Sequence, residues 1–360
     1  MPSEGAVTMS PPSTPALDPV AAAPRSLAEA LSPQFLSAAL GVAVHGVTVV
    51  DTIGGVATKV RFRIDAEPGT HRDYCLKGLI GDEPPLPGHA RITHTEASFY
   101  RDLAPAVRVA VPTCRYSGID PVIGNGLILM EDVVAKGGRF LTALEPYSEV
   151  EARSSLAQLA ALHAAHWGQV RLGHLPWLRD RLGDLAETPL RTIAELQGLV
   201  DDPRGESVPG RLRDAGRITS ALRALAGRTA GRASTLVHGD AHAGNIYVLD
   251  GSTALIDWQL LQRSHWSIDV AYHVGAALPV ELRRRVERDL LDHYLDRLAA
   301  AGVEDPPGRE EAWADYRAGV AYGYYLWSCT RQVAPPIIRE FCLRLGTAVA
   351  DLESFDVLDA

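Results

Sequence analysis

"LVHGDAHAGNIYVLDGSTALIDW", residues Leu236–Trp258, sets three aspartates, two histidines and an asparagine between short apolar runs. Asp240 follows Gly239 directly after the apolar pair Leu236-Val237, which places it at the mouth of a loop. Asn245 precedes the strand-like "IYVL", and Asp257 closes the strand-like run "TALI". Asp250-Gly251 between the two runs is the signature of a tight β-hairpin turn. In such a hairpin the residue before one strand and the residue after its partner lie at the same end. Asn245 and Asp257 are therefore expected to be neighbours.

An amide and a carboxylate, completed by water and a ligand's phosphate oxygens, form a usual donor set for Mg²⁺. Asp240 then remains free to orient or deprotonate a hydroxyl while the metal site fixes a nucleotide triphosphate. The plainer reading makes Asp240 and Asn245 turn formers and Asp257 a strand-ending cap. A third reading takes His238 and His242, four apart, as zinc ligands of a hydrolase. That spacing needs a continuous helix, which Gly239 and Gly244 oppose, and no glutamate follows either histidine in the HExxH manner.

The chain has 360 residues, more than one core usually supports, so two lobes are expected. An apolar share of 46% is ample for a packed interior. No run approaches the ~18 consecutive apolar residues of a membrane span, so no membrane partner is expected. Residues 1–25 are rich in Pro, Ala and Ser and lack a basic leading segment, and they read as a disordered tail. Cys75, Cys114, Cys329 and Cys342 are scattered without a CxxC pair, which fits free thiols in a reducing cytoplasm. A net charge of −9 argues against nucleic acid. Lys59, Lys77 and Lys136 are the only lysines, a scarcity that draws attention to each.

From Val42 to Ile64 an alternating, β-branched stretch predicts two strands joined by a Gly54-Gly55 turn. "YCLKGLI", Tyr74–Ile80, predicts a third. After a Pro/Gly-rich linker, "RITHTEASFYRDLAP" has helical spacing and stops at Pro105. "GLILMEDVV", Gly126–Val134, predicts another buried strand. Beyond it the composition turns helical, beginning with "YSEVEARSSLAQLAALHAAHW", where Ser148 is the expected N-cap and Val150, Leu156, Leu159, Leu162 and His163 share a face. Further helices are expected near Leu178–Leu185, Leu190–Leu199 and Arg211–Ala226, throughout 267–329, and from Pro335 onward. The plan is an α+β chain: a tail over 1–25, a small, mostly antiparallel β N-lobe over 26–134, and a larger helical C-lobe over 135–360.

"HGDAHAGN" followed by "LIDW" resembles the catalytic and metal-binding loops of the aminoglycoside phosphotransferase and choline kinase group, small-molecule kinases with the protein-kinase fold. "IDWQ" and the upstream "LAALHAAHW" look most like the ecdysteroid-kinase-like branch. The resemblance implies that Asp240 is the catalytic base, that Asn245 and Asp257 hold Mg²⁺, that His238 braces the catalytic loop, and that Asp269 in "SIDVAY" tethers that loop to the helix behind it. It further implies a phosphate-gripping Lys77, held by Glu96, and a hinge at Met130, Glu131 and Asp132 meeting the nucleotide base. Gly54-Gly55 would cover the phosphates, although the match there is loose and no full GxGxxG or Walker A loop is present. ATP as phosphate donor rests on the likeness alone. HRD, DFG and APE signatures are absent, which argues against a peptide substrate.

The expected reaction moves the γ-phosphate of ATP to a hydroxyl of a small molecule, and a catalytically silent nucleotide- or ligand-binding pseudokinase is the alternative. Trp313, Tyr316, Val320, Tyr324 and Trp327 form one aromatic helix face that reads either as core or as the wall of an acceptor pocket. A wall of that kind suits an apolar alcohol, such as a sterol, terpenoid or polyketide, or a choline-like cation. An aminoglycoside calls for acids, and Glu304, Asp305, Glu310, Glu311 and Asp315 cluster nearby in sequence, where a solvated helix start is the plainer reading. Oligomeric state is not legible.

Overall fold

The computed structural model describes residues 22–67, 70–80, 88–168 and 175–360. Five strands, β1 (Gly46–Ile53), β2 (Thr58–Glu67), β3 (Thr70–Gly78), β4 (Cys114–Ile119) and β5 (Gly126–Glu131), form an antiparallel sheet in the order β1-β2-β3-β5-β4. The two-residue period of a strand sorts their side chains. Val60, Phe62 and Ile64 of β2, with Tyr74, Leu76, Leu127 and Leu129, turn to one face and are buried there with Ala30 and Leu36. Those last two come from short helices α1 (Leu27–Ala30) and α2 (Pro33–Leu40). The alternate positions, Lys59 and Lys77 among them, turn to the opposite face. A register slip between Val49 and Asp51 bulges the edge strand and leaves Val49 and Val50 exposed.

The expected tail lies outside the described residues as far as residue 21. Beyond it, Ala23 is buried and Arg25 Nη2 donates to Asp120 Oδ1 at 3.1 Å. Most of the linker before the first long helix, residues 81–87, also lies outside the described set. Helix α3 (His89–Ser98) continues into a π-turn over Phe99–Leu103 and ends short of Pro105.

The second lobe is mainly helical: α4 (Glu149–Ala165), α5 (Arg181–Glu187), α6 (Ile193–Val200), α7 (Ala215–Thr229), α8 (Ser267–Ala277), α9 (Val280–Ala300), α10 (Arg309–Cys329), α11 (Pro335–Asp351) and α12 (Ser354–Val357). Helix α4 opens on a capping box between Ser148 and Glu151. Its Leu156, Leu159, Leu162 and His163 are buried, whereas Val150, placed on the same face by the sequence reading, is 75% exposed in the first turn. Small strands carry the opening motif. β7 (Thr235–Val237) pairs with β10 (Gln262–Ser264), and β6 (Arg139–Phe140) flanks the hairpin of β8 (Ile246–Leu249) and β9 (Ser252–Leu255). Asp250 and Gly251 both have positive φ, as a tight primed turn requires. No helix among the described residues is long and apolar enough to cross a membrane.

Candidate active site

The β8–β9 hairpin brings Asn245 and Asp257 to one end: Ile246 faces Leu255, and Ile256 N–H donates to the Asn245 carbonyl at 3.0 Å. Asp257 itself takes a left-handed backbone, φ +65°, which costs a non-glycine residue roughly 1 kcal/mol. The turn directs its carboxylate onto Lys77, whose Nζ lies 2.8 Å from Asp257 Oδ1 and 2.7 Å from Glu96 Oε2. Strand β3, helix α3 and the hairpin thus meet at one ammonium, 5% exposed.

The charges there are unequal in consequence. Burial alone pulls the Lys77 ammonium down, but Asp257 and Glu96 outweigh it and raise its pKa above the ordinary lysine value. One cation shared by two buried acids cannot hold both equally. Burial raises Glu96, Lys77 offsets this only in part, and the nearby Asp257 adds to the rise. Burial also pushes Asp257 up, yet Lys77 and then Lys59 bring it net below the ordinary carboxylate value. Of the two acids, Asp257 is the one whose charged form the lysines favour. Glu96 also clamps the loop, accepting from Trp258 N–H at 3.3 Å, while the Trp258 ring stacks on Phe99 with centroids 3.8 Å apart.

Gly239 lies at φ +77°, and a Cβ there would stand 2.3 Å from the Leu260 carbonyl oxygen, so the residue before Asp240 has to be glycine. Buried Asp269 of α8 accepts from His238 N–H at 2.6 Å and Gly239 N–H at 2.8 Å, and His163 Nε2 stands 3.1 Å away. His238 spans the two loops: its Nδ1 accepts from Asp240 N–H at 3.2 Å and its Nε2 donates to the Ile256 carbonyl at 2.9 Å. Asn245 Nδ2 donates to the Asp240 carbonyl at 2.8 Å and to Asp240 Oδ2 at 3.1 Å, which leaves Asn245 Oδ1 without a partner among the described residues. Tyr272 donates to Asp240 Oδ1 at 3.1 Å. Among the described residues no three His, Cys, Asp or Glu side chains are grouped to hold a metal ion by themselves. One carboxylate and one amide oxygen could hold a hard cation whose other positions go to phosphate and water.

A profile of the phosphotransferase enzyme family, APH, matches residues 54–312, well over half of the chain. The chain belongs to that family. No sequence match among curated proteins reaches significance. The phosphotransferase is similar in fold to choline kinase from Cryptosporidium parvum Iowa II, with a TM-score of 0.51, 10% identity, and coverage of 86% of this chain and 89% of that one. It is likewise similar to Plasmodium vivax ethanolamine kinase, with a TM-score of 0.50, 13% identity, and coverage of 86% and 83%. At these identities both likenesses speak for the fold alone.

At the expected hinge, the phosphotransferase commits the Glu131 N–H to Thr113 O and the Asp132 N–H to Asp73 O, at 2.9 and 3.1 Å. The Asp132 side chain holds Val134 N–H and Arg61 Nε, each at 2.9 Å. The next donor, Val133 N–H, has no protein partner among the described residues. Gly54 and Gly55 lie exposed between β1 and β2, and a Cβ on Gly55 would stand 3.9 Å from Lys59 Nζ. Lys59 is paired across the strands with Lys77 and so shares its face. The sequence reading gave it no role, because only the pairing of β2 with β3 sets it beside Lys77.

The aromatic face of α10 divides. Tyr316 bonds to Glu287 and Tyr324 to the Leu212 carbonyl, both in the core. Of these, Trp327 reaches the Asp240 loop, donating to Tyr272 Oη at 2.7 Å and packing edge-on against His242, and Tyr322 of the same helix donates to the Gly239 carbonyl at 2.9 Å. Burial lowers the His242 pKa, so its ring is neutral near pH 7. The acids near the start of α10 do not reach this place: Asp315 pairs with Arg228 and Arg232, and Glu311 with Arg232.

Proposed function

We propose that this phosphotransferase moves the γ-phosphate of ATP to a hydroxyl of a small molecule in a Mg²⁺-dependent reaction. The supporting observation is the meeting of Lys77, Glu96 and Asp257, 180 residues apart between Lys77 and Asp257, at the end of the hairpin that also carries Asn245. A buried lysine held by two acids is a costly arrangement for stability alone, and it matches what gripping a polyphosphate beside a cation requires.

In this reading Asp240 takes the acceptor hydroxyl's proton, the acceptor oxygen bonds to the γ-phosphorus, and the bond from phosphorus to the β-γ bridging oxygen breaks to release ADP. Lys77 holds the nucleotide phosphates, with Glu96 fixing its position, and Lys59 and the Gly54-Gly55 turn cover them from the sheet. Mg²⁺ held by Asn245 and Asp257 would supply charge neutralisation between the phosphates. His238 and Asp269 keep the two loops in register, and Val133 N–H is the hinge donor for the base. His242, with Trp327 and Phe341 of α11 packed edge-on against its ring, would form a mostly apolar acceptor wall, which favours an alcohol with an apolar body over a polycationic aminoglycoside. Four free thiols accord with a cytoplasmic setting.

The test is a screen of hydroxylated small molecules with Mg–ATP, read by product mass, using wild type and Asp240→Asn. Transfer by wild type, abolished in Asp240→Asn with nucleotide binding retained, is the expected result. Nucleotide binding by wild type without transfer to any acceptor points to the silent, ligand-carrying alternative.

A further inference from the structure

A small cavity of about 50 Å³ opens where the first turn of α3, the chain entering α5 and the turn after Asp257 meet. Arg91, Arg179 and Arg181 line it against a single carboxylate, Asp184. Arg179 and Asp184 satisfy each other at 2.8 Å. Arg91 and Arg181 have no acidic partner among the described residues, and Arg181 Nε is buried without a hydrogen bond. By contrast, Arg283 and Arg284 share Asp351, and Arg228 and Arg232 share Asp315. With 44 acidic against 35 basic residues, counter-charge is abundant in the chain, yet among the described residues Asp184 is the only carboxylate lining this cavity, and it is committed to Arg179.

Two further features sharpen the imbalance. The first turn of α3 carries no acid, although the positive end of a helix favours an anion and disfavours a cation such as Arg91. The remaining walls include Ile92, Trp177 and Leu260, whose low polarity strengthens any charge interaction made beside them. Guanidiniums present paired donors that match phosphate and carboxylate oxygens.

We propose that this cavity binds a small oxyanion, the phosphate or carboxylate group of a metabolite, at a place separate from the phosphate grip at Lys77. Arg91 reaches it from α3, Arg179 and Arg181 from the second lobe. A bound oxyanion therefore bridges the helix that carries Glu96 to the lobe that carries Asp257 and, where the proposed phosphotransfer reading holds, favours the assembled Lys77 site.

The experiment is calorimetric titration of inorganic phosphate and of citrate into the full chain, with ionic strength matched by chloride. It compares wild type, the double variant Arg91→Gln/Arg181→Gln, and Arg153→Gln as a control on a half-buried arginine already paired with Glu149. Saturable binding to wild type and to the control, weakened at least tenfold in the double variant, is expected. Should the double variant not fold, Arg179→Gln alone is read in its place, with weakened binding again expected. Binding that survives the substitutions unchanged belongs elsewhere, at Lys77 included, and overturns the proposal. Absence of saturable binding of either anion to wild type overturns it too. Because binding alone is measured, neither result depends on phosphotransfer.

Discussion

Tyr272 donates its phenolic hydrogen to Asp240 Oδ1 across 3.1 Å, from the same helix whose Asp269 and His273 hold the residues on either side. Asp269 takes the His238 and Gly239 N–H groups, and His273 Nδ1 donates to the Ala241 carbonyl at 2.8 Å. Positions 269, 272 and 273 are three and four apart, one face of α8, so one helix surface grips four consecutive loop residues. Burial, and then the charge on Asp240, raises the Tyr272 pKa well above the ordinary value, and the group remains a donor.

Tyr272→Phe keeps the ring and removes that bond. The expected outcome in steady-state kinetics is about a tenfold loss of kcat, the worth of one hydrogen bond to a charged group, with the KM for nucleotide unchanged. Gly323→Ala gives an independent reading, because a Cβ there would come within 2.4 Å of the Tyr272 ring and displace it. Equal losses in kcat and nucleotide affinity would indicate a general collapse of the site instead.

The shared lysine makes a prediction about stability. Lys77→Met leaves two buried carboxylates facing each other, and loss of one partner from a buried ion pair costs about 3–5 kcal/mol. Glu96→Gln removes the acid that burial already disfavours and leaves Lys77 with Asp257, so it costs less. The double variant Lys77→Met/Glu96→Gln should therefore be more stable than Lys77→Met alone. Urea unfolding of the three variants measures this; a double variant less stable than the single one contradicts the charge balance described above.

The hairpin was legible because its determinants are local. Asp250-Gly251 specifies the turn, two apolar runs specify the strands, and their ends then bring Asn245 and Asp257 together. Ser148 as an N-cap and the alternation of Val60, Phe62 and Ile64 are local in the same sense. Other features depend on what packs from afar. Helices α1 and α2 span four and eight residues, too short for a clear apolar period, and are defined by the sheet they cover. "CRYSGI" does not alternate cleanly, and its pairing with β5 contains a register slip between Cys114 and Tyr116. The α10 stripe was legible as a helix face, but whether Tyr316 or Trp327 meets the core or the catalytic loop is settled by Glu287 and Tyr272, from other helices.

Lys59 was passed over for a similar reason, since only the pairing of β2 with β3 sets it opposite Lys77. It is half-buried beside the Gly54-Gly55 turn and forms no ion pair among the described residues. Lys59→Ala should leave the unfolding midpoint nearly unchanged. It should raise the KM for ATP about tenfold, as loss of one charge-assisted phosphate contact predicts, with kcat little affected. An unaltered KM removes Lys59 from the nucleotide site.

Two buried histidines set the acid limit of the fold. Burial pushes His265 and His273 from an ordinary value near 6.5 down to about 4. His273 donates from Nδ1 to Ala241 O and its Nε2 lies 2.6 Å from Ser155 Oγ, so the fully buried ring is satisfied while neutral and a second proton would put an uncompensated charge there. Between pH 6.5 and 4 the unfolded chain binds protons that the folded chain refuses. Stability must therefore fall as pH drops through that window, by up to about 3 kcal/mol for each histidine. His273→Asn keeps a donor for Ala241 O and cannot take up the proton. Its unfolding free energy, measured in urea from pH 7 to pH 4, should decline less steeply than that of wild type, the two curves drawing together as the pH falls. Parallel curves would mean that His273 titrates in the folded state much as it does in the unfolded one, and that the loop carrying Asp240 is open enough to water to solvate the charge.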